Sequence, residues 1–279
     1  MSGRTAWYPG HMAKGKRELE KLLEALDLVV EVRDARAPLL TASPLAAEFA
    51  RRKKLWVALT KADLAHKPTT DAWVRHFEAG GVRAFALDLR GKRPEALKKA
   101  LKKVAPKYRG VRLALFGIPN VGKSQLLNGL VGKKSAPVGG IPGLTRGVSW
   151  YQGDGFLVVD SPGILDPKAG AMTERVLAWL GCSKVEVIGG YASLGCGLVD
   201  FLRDQGLWSL VQNKWGVSDE GSAQEVLERL GKRLGCLVGG GAVDLDQTGR
   251  RLIDGFIVGQ FGPCSLESPD QPLSFGEES

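Results

Sequence analysis

Residues 117–130 read GIPNVGKSQLLNGL. Gly117 to Ser124 satisfy the pattern G-x-x-x-x-G-K-[ST] without a gap. The apolar run VRLALF precedes them, and a helix is expected from Gly122 to about Leu130. Strand, glycine-rich turn and helix together make a phosphate-binding loop. Backbone N–H groups from Asn120 to Ser124 can wrap phosphates, and the positive end of the helix adds attraction. Lys123 is placed to reach β- and γ-phosphates, and Ser124 to ligate Mg²⁺. The candidate loop residues are Gly117, Asn120, Val121, Gly122, Lys123, Ser124 and Gln125. Such loops usually open a nucleotide-binding domain, yet here residues 1–116 come first.

The residues after the loop complete a phosphate site. FLVVD reads as a buried strand that runs into DSPG, Asp160 to Gly163. A carboxylate at that strand end can hold Mg²⁺, and the Gly163 N–H can meet a γ-phosphate. Between the two motifs lies GLTRG, in which Thr145 is the candidate loop residue for Mg²⁺ and the γ-phosphate. The expected metal set is therefore Ser124, Thr145 and Asp160.

The residues before the loop explain its late position. LDLVVEVRD, KLWVALT and VRAFAL read as strands, separated by helices expected near 13–26, 44–51, 70–79 and 94–104. This alternation predicts a mostly parallel sheet with helices on both faces. KLWVALT ends in TKAD, Thr60 to Asp63. A carboxylate there can accept from the N1–H and the exocyclic amine of guanine, a pair that adenine does not offer, while the Lys61 stem can lie over the base. The first hundred or so residues are thus the guanine-reading half of the same domain, and the usual motif order is circularly rotated. Such rotation is tolerated where termini can move between surface loops.

After residue 167 the pattern changes to helices with short loops. SAQE, Ser222 to Glu225, is a capping box, and Leu252, Ile253, Phe256 and Ile257 fall on one helical face. The expected organisation is a GTPase domain over 1–167, a helical domain over 168–264 and a disordered tail over 265–279.

The 279 residues carry 39 Lys and Arg against 30 Asp and Glu, a net charge of +9. Arg90 to Arg112 hold ten of the basic residues and one Glu, ARRKK at 50–54 is a second cluster, and Lys14, Lys16, Arg17 and Lys21 are a third. Clustered cations favour a polyanion such as RNA. No apolar run approaches the roughly 20 residues of a membrane span. The N-terminus lacks the apolar core of a signal peptide, so a cytoplasmic protein is expected. Four scattered cysteines and three histidines give no zinc or redox pattern.

WYPGHMAKGKRE, VVEVRDARAP, TKAD, GIPNVGKS, IPGLTRG and DSPGIL occur in an order that resembles the circularly permuted GTPases. Within them the chain is most similar to the bacterial branch that assists assembly of the large ribosomal subunit. The resemblance extends through RLGCLVGGGAVDLDQ and covers nearly the whole chain. It implies GTP hydrolysis, GTP and GDP as ligands with Mg²⁺, and a helical RNA-binding domain. It also implies a monomer acting on the large subunit and its rRNA, with no membrane partner.

By resemblance, His11 of YPGHM is the catalytic candidate beside Lys123 and Asn120, and Asn120 corresponds to an asparagine that holds K⁺ near the phosphates. The last guanine loop falls on Asp88 and Leu89. Three departures from the family pattern are present: Thr60 replaces the usual Asn of the guanine motif, Gln125 follows Ser124 where a Thr is common, and ALDLRGK stands where the last guanine loop usually reads Ser-Ala-Lys. Ile164 stands where Ras-like GTPases place a water-orienting glutamine. Slow hydrolysis without the ribosomal particle is therefore expected. The alternatives are an rRNA-binding scaffold with a structural nucleotide site, a small-subunit assembly GTPase, or a P-loop ATPase or kinase, the last disfavoured by TKAD.

Overall fold

The computed structural model describes residues 17–132, 149–161, 163–166, 169–183 and 189–273. They fall into two compact units: residues 17–166 with Glu267–Leu273, and residues 169–266.

The first unit is built on a six-stranded sheet. Its strands are β1 Leu28–Asp34, β2 Lys54–Thr60, β3 Arg83–Ala86, β4 Val111–Phe116, β5 Trp150–Gly153 and β6 Phe156–Asp160. Their spatial order is β3-β2-β1-β4-β6-β5. All neighbours are parallel except β5, which runs antiparallel to β6. Only the short turn at Asp154–Gly155 joins those two strands, too little chain for a parallel crossover.

Every residue of β1 is buried, as a central strand covered on both faces requires. One face packs Leu19, Leu22, Leu23 and Leu26 with Phe49 and Phe116. The other packs Trp73 against Val57, Leu59 and Ala84. The covering helices are α1 at residues 17–22, α2 Ala46–Arg52, α3 Lys67–Ala79, α4 Glu95–Lys103 and α5 Lys123–Val131.

The chain passes outward from β1 through β2 and β3, then returns to β4 on the other side of β1. The switch point between β1 and β4 is where an open α/β sheet leaves a crevice at its carboxyl ends. The phosphate loop leaves β4 directly at that crevice.

Two helix boundaries differ from the sequence reading. The first helix gives way to a 3-10 turn at Leu23–Ala25, and Leu26 is already extended. Asp27 N–H bonds the Arg112 carbonyl at 2.8 Å, which draws the chain into the sheet. Helix α3 begins at Lys67 rather than Thr70, with Pro68 in its first turn, where a missing N–H costs nothing.

The tail also departs from expectation. Residues 265–273 are not a disordered segment: Leu266 and Glu267 are buried, and Ser268 bridges Gln271. The Glu267 carboxylate accepts from the Leu39 and Leu40 N–H groups at 2.6 and 3.1 Å. Its carbonyl accepts from Trp73 Nε1 at 3.1 Å. A polar, proline-containing composition hid partners that lie more than 190 residues away in sequence.

The second unit contains α6 Ala171–Trp179, α7 Gly190–Asp204, α8 Trp208–Trp215, α9 Ala223–Leu234 and α10 Leu245–Val258. Ser222 and Glu225 form both bonds of the capping box at the start of α9. Leu252, Ile253 and Phe256 are buried, as the face of α10 predicts, while Ile257 is half-buried. Helices α7 and α10 approach through glycine: a Cβ on Gly195 would come within 2.7 Å of Gly249 Cα. Among the described residues, no helix is long and apolar enough to cross a membrane.

Candidate functional site

The C-terminal ends of β1, β2, β4 and β6 bring Asp34, Thr60, the phosphate loop and Asp160 to one edge of the sheet. Gly117 and Gly122 both adopt positive φ, at 153° and 99°. A Cβ on Gly117 would collide with the Val32 carbonyl, so only glycine lets the loop leave β4 there. Asn120 lies in the left-handed region at φ 57°, a conformation in which Asn is enriched, and is exposed.

Lys123 is buried, and its ammonium donates to the Gly117 and Ile118 carbonyls at 3.2 and 2.7 Å. It is thus held within the loop that a triphosphate would fill. Gln125 stands beside Ser124 on α5, and its side-chain amide donates to the Leu89 carbonyl at 3.1 Å. The helix after the phosphate loop is thereby tied to the turn at Asp88 and Leu89.

Ser124 Oγ donates to Asp160 Oδ2 at 3.3 Å, and Asp160 Oδ1 is buried without a hydrogen-bond partner. Burial pushes the Asp160 carboxyl above its usual value of 3.8, against the pull of Lys123 and bonds from Ser124 and Ser161. A hydroxyl beside a carboxylate with an orphaned oxygen is a hard-oxygen donor set that suits Mg²⁺. Gly163 lies against the phosphate loop, where a Cβ would come within 2.7 Å of Pro119 N. Ile164 N–H bonds the Gly117 carbonyl at 3.3 Å, and its side chain is buried in the core with Leu19 and Phe116. Ile164 therefore anchors the segment and presents nothing polar to water. Thr145 and His11 lie outside the described residues.

The guanine motif is locked from beneath. The Thr60 hydroxyl lies against the Arg33 carbonyl, at 3.0 Å, and the Val121 carbonyl. Threonine in place of asparagine thus still ties the guanine motif to the phosphate loop. Lys61 has φ 53°, unusual for a residue with a long side chain. Its ammonium pairs with Asp34 Oδ2 at 2.9 Å. Fully buried Asp34 also pairs with Arg36, accepting from Nε at 3.1 Å and Nη2 at 2.9 Å. Burial alone would raise the Asp34 carboxyl, but Arg36 and Lys61 overcome it and hold it below the usual carboxylate range. The sequence reading missed this role of Asp34. Its signal was a charged residue at the carboxyl end of a strand that is buried throughout.

Asp63, the candidate base reader, pairs with Arg90 Nε at 3.0 Å. Along the sequence Arg90 belongs only to a basic cluster. Asp88 instead caps its own turn, accepting from Arg90 N–H at 3.0 Å and pairing with Lys92 at 2.6 Å. The Lys92 hydrogen bond is the main reason that the Asp88 carboxyl is held below its usual value. Leu89 is buried and turns its carbonyl to Gln125.

The basic run from Arg90 to Arg112 is less bare than its composition suggests. Acids from elsewhere meet it: Asp63 at Arg90, Asp154 at Lys102 and Asp27 at Arg109. Lys99 and Lys103 on α4 are exposed and have no carboxylate within 4.0 Å among the described residues.

Residues 112–189 match the family described as 50S ribosome-binding GTPase. The ribosome biogenesis GTPase A of Bacillus pumilus is 35% identical over 282 residues, covering 95% of this chain and 98% of that protein. The chain belongs to the ribosome biogenesis GTPase A family. The Thermotoga maritima member is 32% identical, covering 95% of both chains. The crystal structure of GNP-bound YlqF from T. maritima is 28% identical, with a TM-score of 0.68 over 92% of this chain and 99% of that one. Membership fixes the activity as GTP hydrolysis on a circularly permuted P-loop domain, and the role as ribosome assembly.

Proposed function

We propose that the protein is an assembly factor of the large ribosomal subunit. It binds the immature particle through rRNA in its GTP state, promotes late maturation and leaves after hydrolysis. It acts as a cytoplasmic monomer. The observation that supports this most is the convergence of Asp63, Lys123, Ser124 and Asp160 on one sheet edge, in a chain of which 95% matches a ribosome biogenesis GTPase A.

In this reading Asp63 accepts from the guanine N1–H and amine once Arg90 yields that edge. Lys61, held by Asp34, lays its stem over the base. Lys123 leaves the Gly117 and Ile118 carbonyls for the β- and γ-phosphates. Ser124 and Asp160 would hold Mg²⁺, with Thr145 as a further ligand, and the metal would neutralise charge on the phosphates. Asn120 would offer its amide oxygen to K⁺, consistent with its exposed, left-handed position. The Gly163 N–H meets the γ-phosphate.

Buried Ile164 cannot orient water, so that task falls to His11, which the particle places. A positioned acid–base or orienting group contributes about 10²–10⁴ in rate. GTP turnover measured alone, with large subunits and with small subunits tests the reading. The expected result is stimulation by the large subunit, lost in His11→Ala with GTP affinity intact. Equal stimulation by both subunits, or by neither, would refute the large-subunit assignment. A His11→Ala protein that keeps full stimulation would eliminate that residue.

A further inference from the structure

The nucleotide site occupies the carboxyl ends of the strands. The opposite end of the same sheet carries a concavity of about 430 Å³ that the GTPase chemistry does not use. It lies where β2 and β3 begin, and Lys53, Lys54, Trp56 and Arg83 line it. The Arg83 guanidinium lies 5.2 Å from the Trp56 ring centre and 5.5 Å from that of Phe85. Lys54 Nζ approaches the same indole at 5.7 Å. Among the described residues, no carboxylate stands within 4.0 Å of Lys53, Lys54 or Arg83.

Two cations gathered on one ring, with a third beside them, repel one another. Their attraction to the aromatic faces offsets part of that cost and fixes the guanidinium in place. A guanidinium already immobilised loses little rotamer freedom when it binds an oxyanion. The site is therefore organised for an anion, and an anion relieves the repulsion. The contrast with the Arg90–Arg112 run is direct: that run is denser in sequence, but acids from elsewhere in the fold pair with several of its members.

A second observation selects the kind of anion. Tyr108 is 90% exposed, in the turn that leads into β4 at this same end of the sheet. Lys107 Nζ lies 5.8 Å from its ring centre. An aromatic ring held out in water beside a cation is the element on which unpaired nucleobases stack. An acidic peptide would use the cations but has no need of the ring.

We propose that the amino-end edge of the sheet is a binding track for single-stranded RNA. Lys53, Lys54 and Arg83 take backbone phosphates, and Tyr108 stacks a base. This deepens the rRNA-binding reading and rests on it. It assigns the contact to a face opposite the nucleotide, so RNA and GTP can be held together.

The test uses the full chain and a fluorescein-labelled 20-nucleotide single-stranded RNA of mixed sequence, with a duplex of equal length for comparison. Affinity is measured across a salt series for the unmodified protein, for Lys53→Glu/Lys54→Glu/Arg83→Glu, for Tyr108→Ala and for Lys99→Glu/Lys103→Glu. These side chains are exposed, apart from half-buried Lys53, and carry no ion pair among the described residues, and GTP turnover without RNA serves as the check of folding.

The groove variant is expected to flatten the log–log salt slope by about 2, at roughly 0.7 for each of three phosphates. Tyr108→Ala is expected to weaken single-stranded RNA between about five- and a hundredfold, and duplex much less. An unchanged slope in the groove variant, with loss confined to Lys99→Glu/Lys103→Glu, would overturn the track and leave the rRNA reading standing. Retained RNA binding with lost binding of poly-glutamate would mark the groove as a protein contact and also overturn it. If the unmodified protein binds no RNA, the rRNA reading and the track fall together.

Discussion

The two ends of the nucleotide site are built on opposite electrostatic terms. At the guanine end each charge is already answered. Asp34 is buried between Arg36 and Lys61, Asp63 is paired with Arg90, and Thr60 is tied to Val121. At the phosphate end charges are left in want. Asp160 is half-buried with its buried Oδ1 unpartnered, and Lys123 is turned back onto loop carbonyls. The proposed base-reading half is thus preformed, and the phosphate half stores an imbalance that a ligand and its metal would relieve. Buried Asp34 and half-buried Asp160 record the contrast, since their titrations are displaced in opposite directions.

The largest effect that could break this comparison lies at Asp63. If the guanine end is a rigid reader, Asp63→Asn removes the acceptor of two hydrogen bonds and offers an amide that suits the xanthine oxygen. The ratio of GTP to xanthosine triphosphate affinity should change by about 10⁴, the scale for leaving buried polar groups mismatched. Competition binding with both nucleotides and ATP measures it. A change of tenfold or less would mean that the base is read elsewhere.

Asp34→Asn comes next and separates preformation from binding. Removing the shared partner leaves Arg36 and Lys61 facing each other in the interior, which should cost about 3–5 kcal/mol of stability. Because its carboxyl is held low, Asp34 stabilises the fold above the unfolded value near 3.8, and this is lost as pH falls through the lower folded value. Urea unfolding at pH 7 and at pH 3 should show a smaller deficit for the mutant at pH 3, where the unfolded carboxyl is largely protonated, with part of the deficit remaining because the folded carboxyl is still ionised. An equal deficit at both would assign the loss to packing instead of charge.

Asp160→Asn should act in the other direction. With its carboxyl raised, the metal-free fold favours the protonated form. The stability it contributes is present below the unfolded value near 3.8 and lost as pH rises through the folded value. At pH 7 the amide should therefore raise the Tm of the nucleotide-free protein, by about 2–4 °C per kcal/mol relieved in a chain of this size. It should also abolish the Mg²⁺ dependence of GTP binding. A lowered Tm would show that the phosphate end is not strained when empty.

Arg90→Ala is the smallest and sharpest case. The Arg90–Asp63 pair is largely exposed on the arginine side, so its loss is worth less than about 1 kcal/mol. GTP affinity should change only a few-fold at low salt, and the difference should vanish at high salt. A larger, salt-insensitive loss would make Arg90 part of the base-reading surface.

The legible features were those whose partners are close in sequence or whose patterns repeat locally. Gly117 to Ser124 form one turn, so a contiguous motif carries the whole loop. The burial of β1 and the capping box at Ser222 could be read from apolar runs and from a three-residue spacing. The motif order alone implied the rotated topology, because each motif sits at the end of its own strand.

Tertiary structure decided which charges meet. Asp34 with Lys61, Asp63 with Arg90, Ser124 with Asp160 and Glu267 with the Leu39–Leu40 turn are joined across strands or across nearly the whole chain. It also decided that a dense basic run would be partly paired while three sparser cations near Trp56 would not. The physical reason is that motifs and periodicity are properties of the backbone's local path. Burial and charge compensation depend on what the sheet order places side by side, and no spacing along the chain encodes that.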